Sequence, residues 1–260
     1  MKTPDCGSLL DDDESAPIVA VNPAGRSPFL LLGDHAGNDI PRRLGTLGLA
    51  RADRERHITW DIGTRRLGEL LSKSLDATFI HQRYSRLVID CNRDPMAADA
   101  IPETSDGTVI PGNERLADEA RMQRIEAIHA PYQRAIATEL SRRAADRHAT
   151  IIVSLHSFTP VMAGRPRPWS IGVLYSDGDT RFAAALLDIL AREMGEGVGD
   201  NEPYRMDETD HSIPRHAFAS GLPYAELEIR QDLIGEPAGQ ERWSGIVGAA
   251  LEDARRRIVC

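Results

Sequence analysis

Four stretches of the chain are apolar without interruption and stop abruptly at polar residues: "PFLLLGDH", "RLVID", "TIIVSLH" and "SIGVLYS". A strand with one wet face alternates apolar and polar positions, so unbroken runs predict strands covered on both faces. A fifth stretch, "PYAELEIRQDLI", does alternate: Leu227 and Ile229 fall on one face, and Glu226, Glu228 and Arg230 on the other. Between these runs the period changes. "DIGTRRLGELLSKSL" sets Ile62, Leu67, Leu70, Leu71 and Leu75 along one stripe, and "TRFAAALLDILAREM" and "GQERWSGIVGAALEDARRR" behave alike, which predicts amphipathic helices. Glu114 to Arg147 predicts another helix with a break or kink before Pro131, which has no N–H to donate to the preceding turn. Strands alternating with helices predict an α/β sandwich around a mostly parallel sheet, with any site at the carboxyl edge of its strands.

Size and charge narrow the picture. At 260 residues, 41% of them hydrophobic, the chain is expected to form one domain over residues 17–260, with a fold beginning near Ile18. Residues 1–16 are polar and acidic and are expected to be a mobile tail. The net charge of -9 argues against nucleic acid and anionic membrane as partners and leaves a small molecule or a protein. No apolar run is long enough to span a bilayer, and Asp11, Asp12, Asp13 and Glu14 lack the order of a signal peptide, so a cytoplasmic location is expected. Cys6, Cys91 and Cys260 have neither the number nor the spacing for a disulfide framework or a zinc knuckle. A metal would have to rest on histidine and carboxylate.

Two histidines follow buried-strand patterns directly, His35 in "LLLGDHAGN" and His156 in "IIVSLHSFT". One such histidine is commonly structural; two in equivalent places point to a metal, because a catalytic zinc takes about three protein ligands and keeps a position open. The third donor is Asp61 or Asn38. Asp61 is the better ligand type, yet it also stands where an N-cap would precede "IGTRRLGELL". Arg86, Asn92 and Arg93 in "YSRLVIDCNRDP" could grip a carboxylate, or Arg86 could simply pair with Asp90 or Asp94. Glu228 could serve as a general base, or pair with Arg230 on a solvated face. His211, Arg215 and His216 in "DHSIPRHA" belong either to a loop over a substrate or to a solvated one.

In this order, "GDHAGNDIP", "HITWDIG", "YSRLVIDCNR", "SLHSFTP", "DHSIPRHA" and "AELEIRQDLI" resemble the N-formylglutamate amidohydrolase family, itself similar to the zinc carboxypeptidases, over about Phe29 to Leu251. The resemblance implies a three-layer sandwich of the phosphorylase/hydrolase-like kind with one zinc ion, or another divalent metal. His35 and His156 become its ligands with Asp61 as third, because Asn38 stands where carboxypeptidases have Glu. Glu228 becomes the general base, and Asn92 and Arg93, with Arg86, become holders of the substrate carboxylate. His211 becomes a group that polarises a carbonyl or, like Arg215, binds an acidic part of the substrate. The implied reaction is hydrolysis of an N-acyl amino acid, most simply N-formyl-L-glutamate. Rivals are hydrolysis of another acyl amino acid or a short peptide, and a non-catalytic binding protein on the same fold.

Overall fold

The structure, a computed structural model, describes residues 8–259. Its centre is a seven-stranded sheet of β1 (Ile18–Val21), β2 (Phe29–Gly33), β3 (Thr78–Gln82), β4 (Ile151–Phe158), β5 (Ile171–Leu174), β6 (Val198–Asp200) and β7 (Tyr224–Arg230), in the order β1-β3-β2-β4-β7-β5-β6. Pairing is parallel except at β1–β3 and β7–β5, so the sheet is mixed and mostly parallel, as expected. Helices α1 (Thr64–Leu75), α3 (Arg181–Met194) and α4 (Pro237–Val259) cover one face, and α2 (residues 118–145) covers the other together with long loops. In α2, Asp118–Arg124 runs into a π turn at Ile125–His129 and continues as Ala130–Ala145, so the kink foreseen before Pro131 is a widened turn that accommodates the missing N–H.

The alternation of β4 and β7 decides where chemistry can sit. Val153, Leu155, Leu227 and Ile229 join the apolar cluster beneath α1, α3 and α4. Their neighbours Ser154, His156, Glu226 and Glu228 point to the opposite face, all of them buried. Parallel pairing places Glu226 beside Ser154 and Glu228 beside His156. Burying four polar side chains in a row on central strands costs stability unless they are partnered, and such rows belong to sites rather than to cores.

Three expectations change. "RLVID" is buried but is no strand: Arg86 N–H donates to Thr59 O and Asp90 N–H to Ala100 O, so its backbone is satisfied by loops instead of a ladder. His156 does not end its strand, which runs on to Phe158 in mid-sheet. Within the expected tail, residues 1–7 lie outside the described residues, while residues 8–16 are anchored. Leu9 is buried, Asp13 pairs with Arg42, Asp11 with Arg43 at 3.0 Å, and Ser15 O accepts from Tyr84 Oη at 2.8 Å. The acidic run that reads as a solvated tail is neutralised by the "RR" after Pro41.

One buried histidine outside the sheet carries a pH prediction. His216 donates from Nε2 to Gln133 Oε1 at 2.6 Å, and burial, then Arg215, push its pKa down to about 4 against the pull of Asp34, with His211 adding a smaller push. A histidine depressed below its unfolded value stabilises the fold above about pH 6.5 and loses that contribution as pH falls toward 4, up to about 3 kcal/mol. Urea unfolding from pH 7 to 4 should therefore show a shallower loss in His216→Gln than in the parent; identical slopes would refute the assignment.

Candidate active site

The carboxyl edge of β2 and β4 brings three donors together. His35 follows β2 by two residues, Asp61 precedes α1, and His156 lies on β4; one donor atom from each lies within 4.8 Å of the others, and all three residues are buried. His35 Nδ1 is 3.5 Å and His156 Nδ1 3.0 Å from Asp61 Oδ2. Donors about 2.0 to 2.2 Å from a tetrahedral ion stand roughly 3.3 Å apart, so this spacing fits one zinc-sized ion. His35 Nδ1 has no hydrogen-bond partner although buried, as a lone pair kept for a cation would be.

The backbone fixes this geometry. Asp61 N–H donates to His35 O at 2.9 Å, which ties the two loops together. Gly63 has φ +86°, and a Cβ there would lie 2.1 Å from Ile234 O, so only glycine lets the Asp61 loop press against the turn before α4. The Asp61 carboxylate does not cap α1, whose N-cap is Gly63 with no side-chain bond; its Oδ2 accepts instead from Ser157 N–H and faces His156 Nδ1. Asn38 is turned away, its Nδ2 donating to Arg54 O at 2.7 Å. Asp61→Asn should thus weaken zinc binding strongly while Asn38→Ala leaves it near the parent value. A titration with the reverse ranking would overturn that choice.

Carboxylates stand behind both imidazoles. His35 Nε2 donates to Asp90 Oδ1 at 2.7 Å, which fixes the tautomer and leaves Nδ1 toward Asp61. His156 Nε2 lies 3.4 Å from Asp34 Oδ2 and 3.0 Å from Ser154 Oγ, and Asp34 also accepts from Ser212 Oγ at 2.5 Å. Burial opposes charge on every one of these acids. It is outweighed at Asp90 by Arg86 and His35, at Asp61 by His35 and His156, and at Asp34 by His156, whose partner carboxyl is held down at about 2. The same field raises His156 against its own burial, through Glu226, Asp34 and Asp61. Ionised acids around imidazoles make a site that favours positive charge.

Beside it opens a cavity of about 670 Å³. Glu226 and Glu228 reach its floor, each with a buried Oε2 that has no partner. Burial pushes both carboxyls up to about 8, opposed by His156. Glu228 is therefore no part of a solvated face, and the bonds of Arg230 go to Asp232 instead. Arg86 donates to Asp90 Oδ2 at 3.1 and 2.6 Å and lies 3.5 Å from Asp61, so the Asp90 pairing is realised inside the site rather than at the surface. Arg93 lines the cavity, 3.2 Å from Asp99 and 3.7 Å from Asp210.

Asn92 also lines the cavity, but its amide is occupied: Oδ1 accepts the N–H of His211 and Ser212, and Nδ2 donates to Asp210. It ties the "DHSIPRHA" loop down. His211 and Arg215 do not line the cavity; the His211 ring packs 5.3 Å from that of His129. Sequence reasoning missed Asp34 and Asp90 behind the imidazoles, Ser154 bonded to both His156 and Asp34, and Tyr204 on the cavity wall, where Arg167 donates to its hydroxyl at 2.9 Å and lies over its ring. The acid directly before His35 was the one visible cue to this surrounding layer.

A family model described as N-formylglutamate amidohydrolase matches residues 27–235. The chain belongs to the N-formylglutamate amidohydrolase family. It is therefore an amidohydrolase. A gene product of Agrobacterium tumefaciens with a solved structure is similar at 34% identity and a TM-score of 0.93, the match covering 97% of this chain and 100% of that one. An N-formylglutamate amidohydrolase of Ralstonia eutropha JMP134 matches at 20% identity and a TM-score of 0.67, over 93% of this chain and 99% of that one, which shows a shared fold. No curated protein matches the chain at a significant level. Among the described residues of this family member no helix is long and apolar enough to cross a membrane.

Proposed function

We propose that the chain is a zinc-dependent amidohydrolase that cleaves the N-acyl bond of an acylated amino acid, with N-formyl-L-glutamate as the simplest substrate and formate and glutamate as products. The observation that carries this reading is the register of β4 and β7, which sets Glu228 beside His156 at the edge of the three-donor cluster. Two imidazoles and a carboxylate suit zinc, and three protein donors leave one position open.

His35, Asp61 and His156 would hold the ion, whose chemistry there is polarisation of the scissile carbonyl and acidification of water. Glu228 takes the water's proton on its unpartnered Oε2 and delivers it to the leaving nitrogen. Burial raises the proton affinity of the Glu228 carboxylate, so its ionised form is a stronger base than a solvated glutamate and holds the proton it has taken until the leaving nitrogen accepts it. Arg93 binds the α-carboxylate and keeps the acyl group facing the cluster. Arg86 acts from behind: bonded to Asp90, it keeps that carboxylate ionised and so keeps His35 oriented.

Zinc-loaded protein offered N-formyl, N-acetyl and N-succinyl amino acids and a dipeptide, with free amine as the readout, tests the reading. N-formyl substrates with a free α-carboxylate should lead; turnover of the dipeptide alone would replace this reading by a peptidase. Arg93→Ala should raise KM about 10- to 150-fold, the worth of a charged hydrogen bond, at unchanged metal content. An unaltered KM would move the anchor to another arginine.

A further inference from the structure

Of the three arginines lining the cavity, two are already matched to acids. Arg86 is committed to Asp90 and Asp61, and Arg93 stands between Asp99 and Asp210. Arg205 differs: it is exposed at the mouth, lines the cavity, and makes no hydrogen bond or ion pair with any described residue.

Its backbone is nevertheless fixed on both sides. Tyr204 is bonded and stacked to Arg167, and the next side chain, Met206, is buried in the core. The loop is tied at its start by Asn201, whose N–H donates to Val173 O at 3.0 Å and whose Oδ1 accepts from Tyr175 N–H at 3.0 Å. Near its end Asp207 N–H donates to Asp210 Oδ2 at 3.0 Å. A free guanidinium on a held backbone, exposed and lining the cavity, is placed to receive an anion reaching in from solvent.

We infer that Arg205 reads the side-chain carboxylate of the substrate and thereby selects acylated acidic amino acids over neutral ones of the same shape. The inference rests on the hydrolytic reading above and adds to it the residue that sets side-chain choice. A substrate with two carboxylates needs two cations at different depths. Arg93, inside, serves the α-carboxylate, and Arg205, at the mouth, meets the group that extends outward.

The test compares N-formyl-L-glutamate with its isostere N-formyl-L-glutamine in the parent and in Arg205→Gln, and measures glutarate binding to both proteins by calorimetry. The parent should prefer the glutamate substrate, and the variant should lose that preference by about 10- to 100-fold, chiefly through KM, with glutarate affinity falling in parallel. An unchanged glutamate-to-glutamine ratio overturns the inference while leaving the hydrolytic reading in place. If neither substrate turns over, the hydrolytic reading fails and calorimetry alone decides on Arg205: weaker glutarate binding in the variant upholds it, and equal binding, or none to either protein, overturns it.

Discussion

His156→Ala should lower zinc affinity by more than about 100-fold, because even residues behind a metal ligand contribute about 10- to 100-fold. Turnover should fall by about 1,000-fold or more, the scale of several kcal/mol of carbonyl polarisation. His156 lies in mid-sheet between Asp34 and Asp61, with Glu226 Oε2 3.9 Å from its Nε2. Removing the imidazole takes away the partner that Asp34, Asp61 and Glu226 share, so the variant should also melt earlier, by about 3 to 5 kcal/mol of lost stability. Metal analysis of protein that still shows a cooperative melt separates lost ligation from lost fold. Parent-like zinc stoichiometry and affinity in folded variant would sink the ligand assignment.

Glu228→Gln should leave zinc content and KM near their parent values and cut kcat by about 100- to 10,000-fold, the contribution of a positioned base. Stability should not drop, since glutamine has the same shape and removes one of two adjacent carboxylates that burial already disfavours. Steady-state kinetics beside metal analysis reads both quantities. If kcat survives, the proton passes elsewhere, and Glu226 is the next candidate: it lies on the same face of β7, with its own unpartnered oxygen nearer His156 Nε2.

Most of the sheet and its covering helices were legible because β2, β4 and β5 are short unbroken apolar runs, β7 alternates, and the helices are longer stretches of helical character. β3 was not, since "TFIHQ" mixes His81 and Gln82 into a buried strand and offers no clear pattern. "RLVID" was misread because continuous apolarity reports burial and not backbone pairing; here loops satisfy its N–H groups. The donor histidines could be seen because each follows an apolar run. That Asp61, and not Asn38, lies beside both histidines could not be read from spacing, as it depends on a hydrogen bond from Asp61 N–H to His35 O between separate loops. Asn92, His211 and Arg215 were grouped as substrate contacts because polar loops near a site look alike in sequence. Only the chain path shows that the Asn92 amide is used to hold the loop and that the other two do not line the cavity.

The ladder between β4 and β7 has a consequence for altering this molecule. His156 and Glu228 keep their separation through backbone hydrogen bonds of neighbouring central strands, and an insertion or deletion in either strand would turn one of them to the opposite face. The 201–210 segment carries no such constraint; it joins β6 to the next turn and holds Tyr204 and Arg205 over the cavity mouth. On the proposed hydrolytic reading, libraries confined to that segment should shift which substrate is accepted while β4 and β7 keep their register, whereas randomising β4 or β7 should lose substrate choice and turnover together. Retargeting and inactivation thus map to separate, contiguous stretches of the gene.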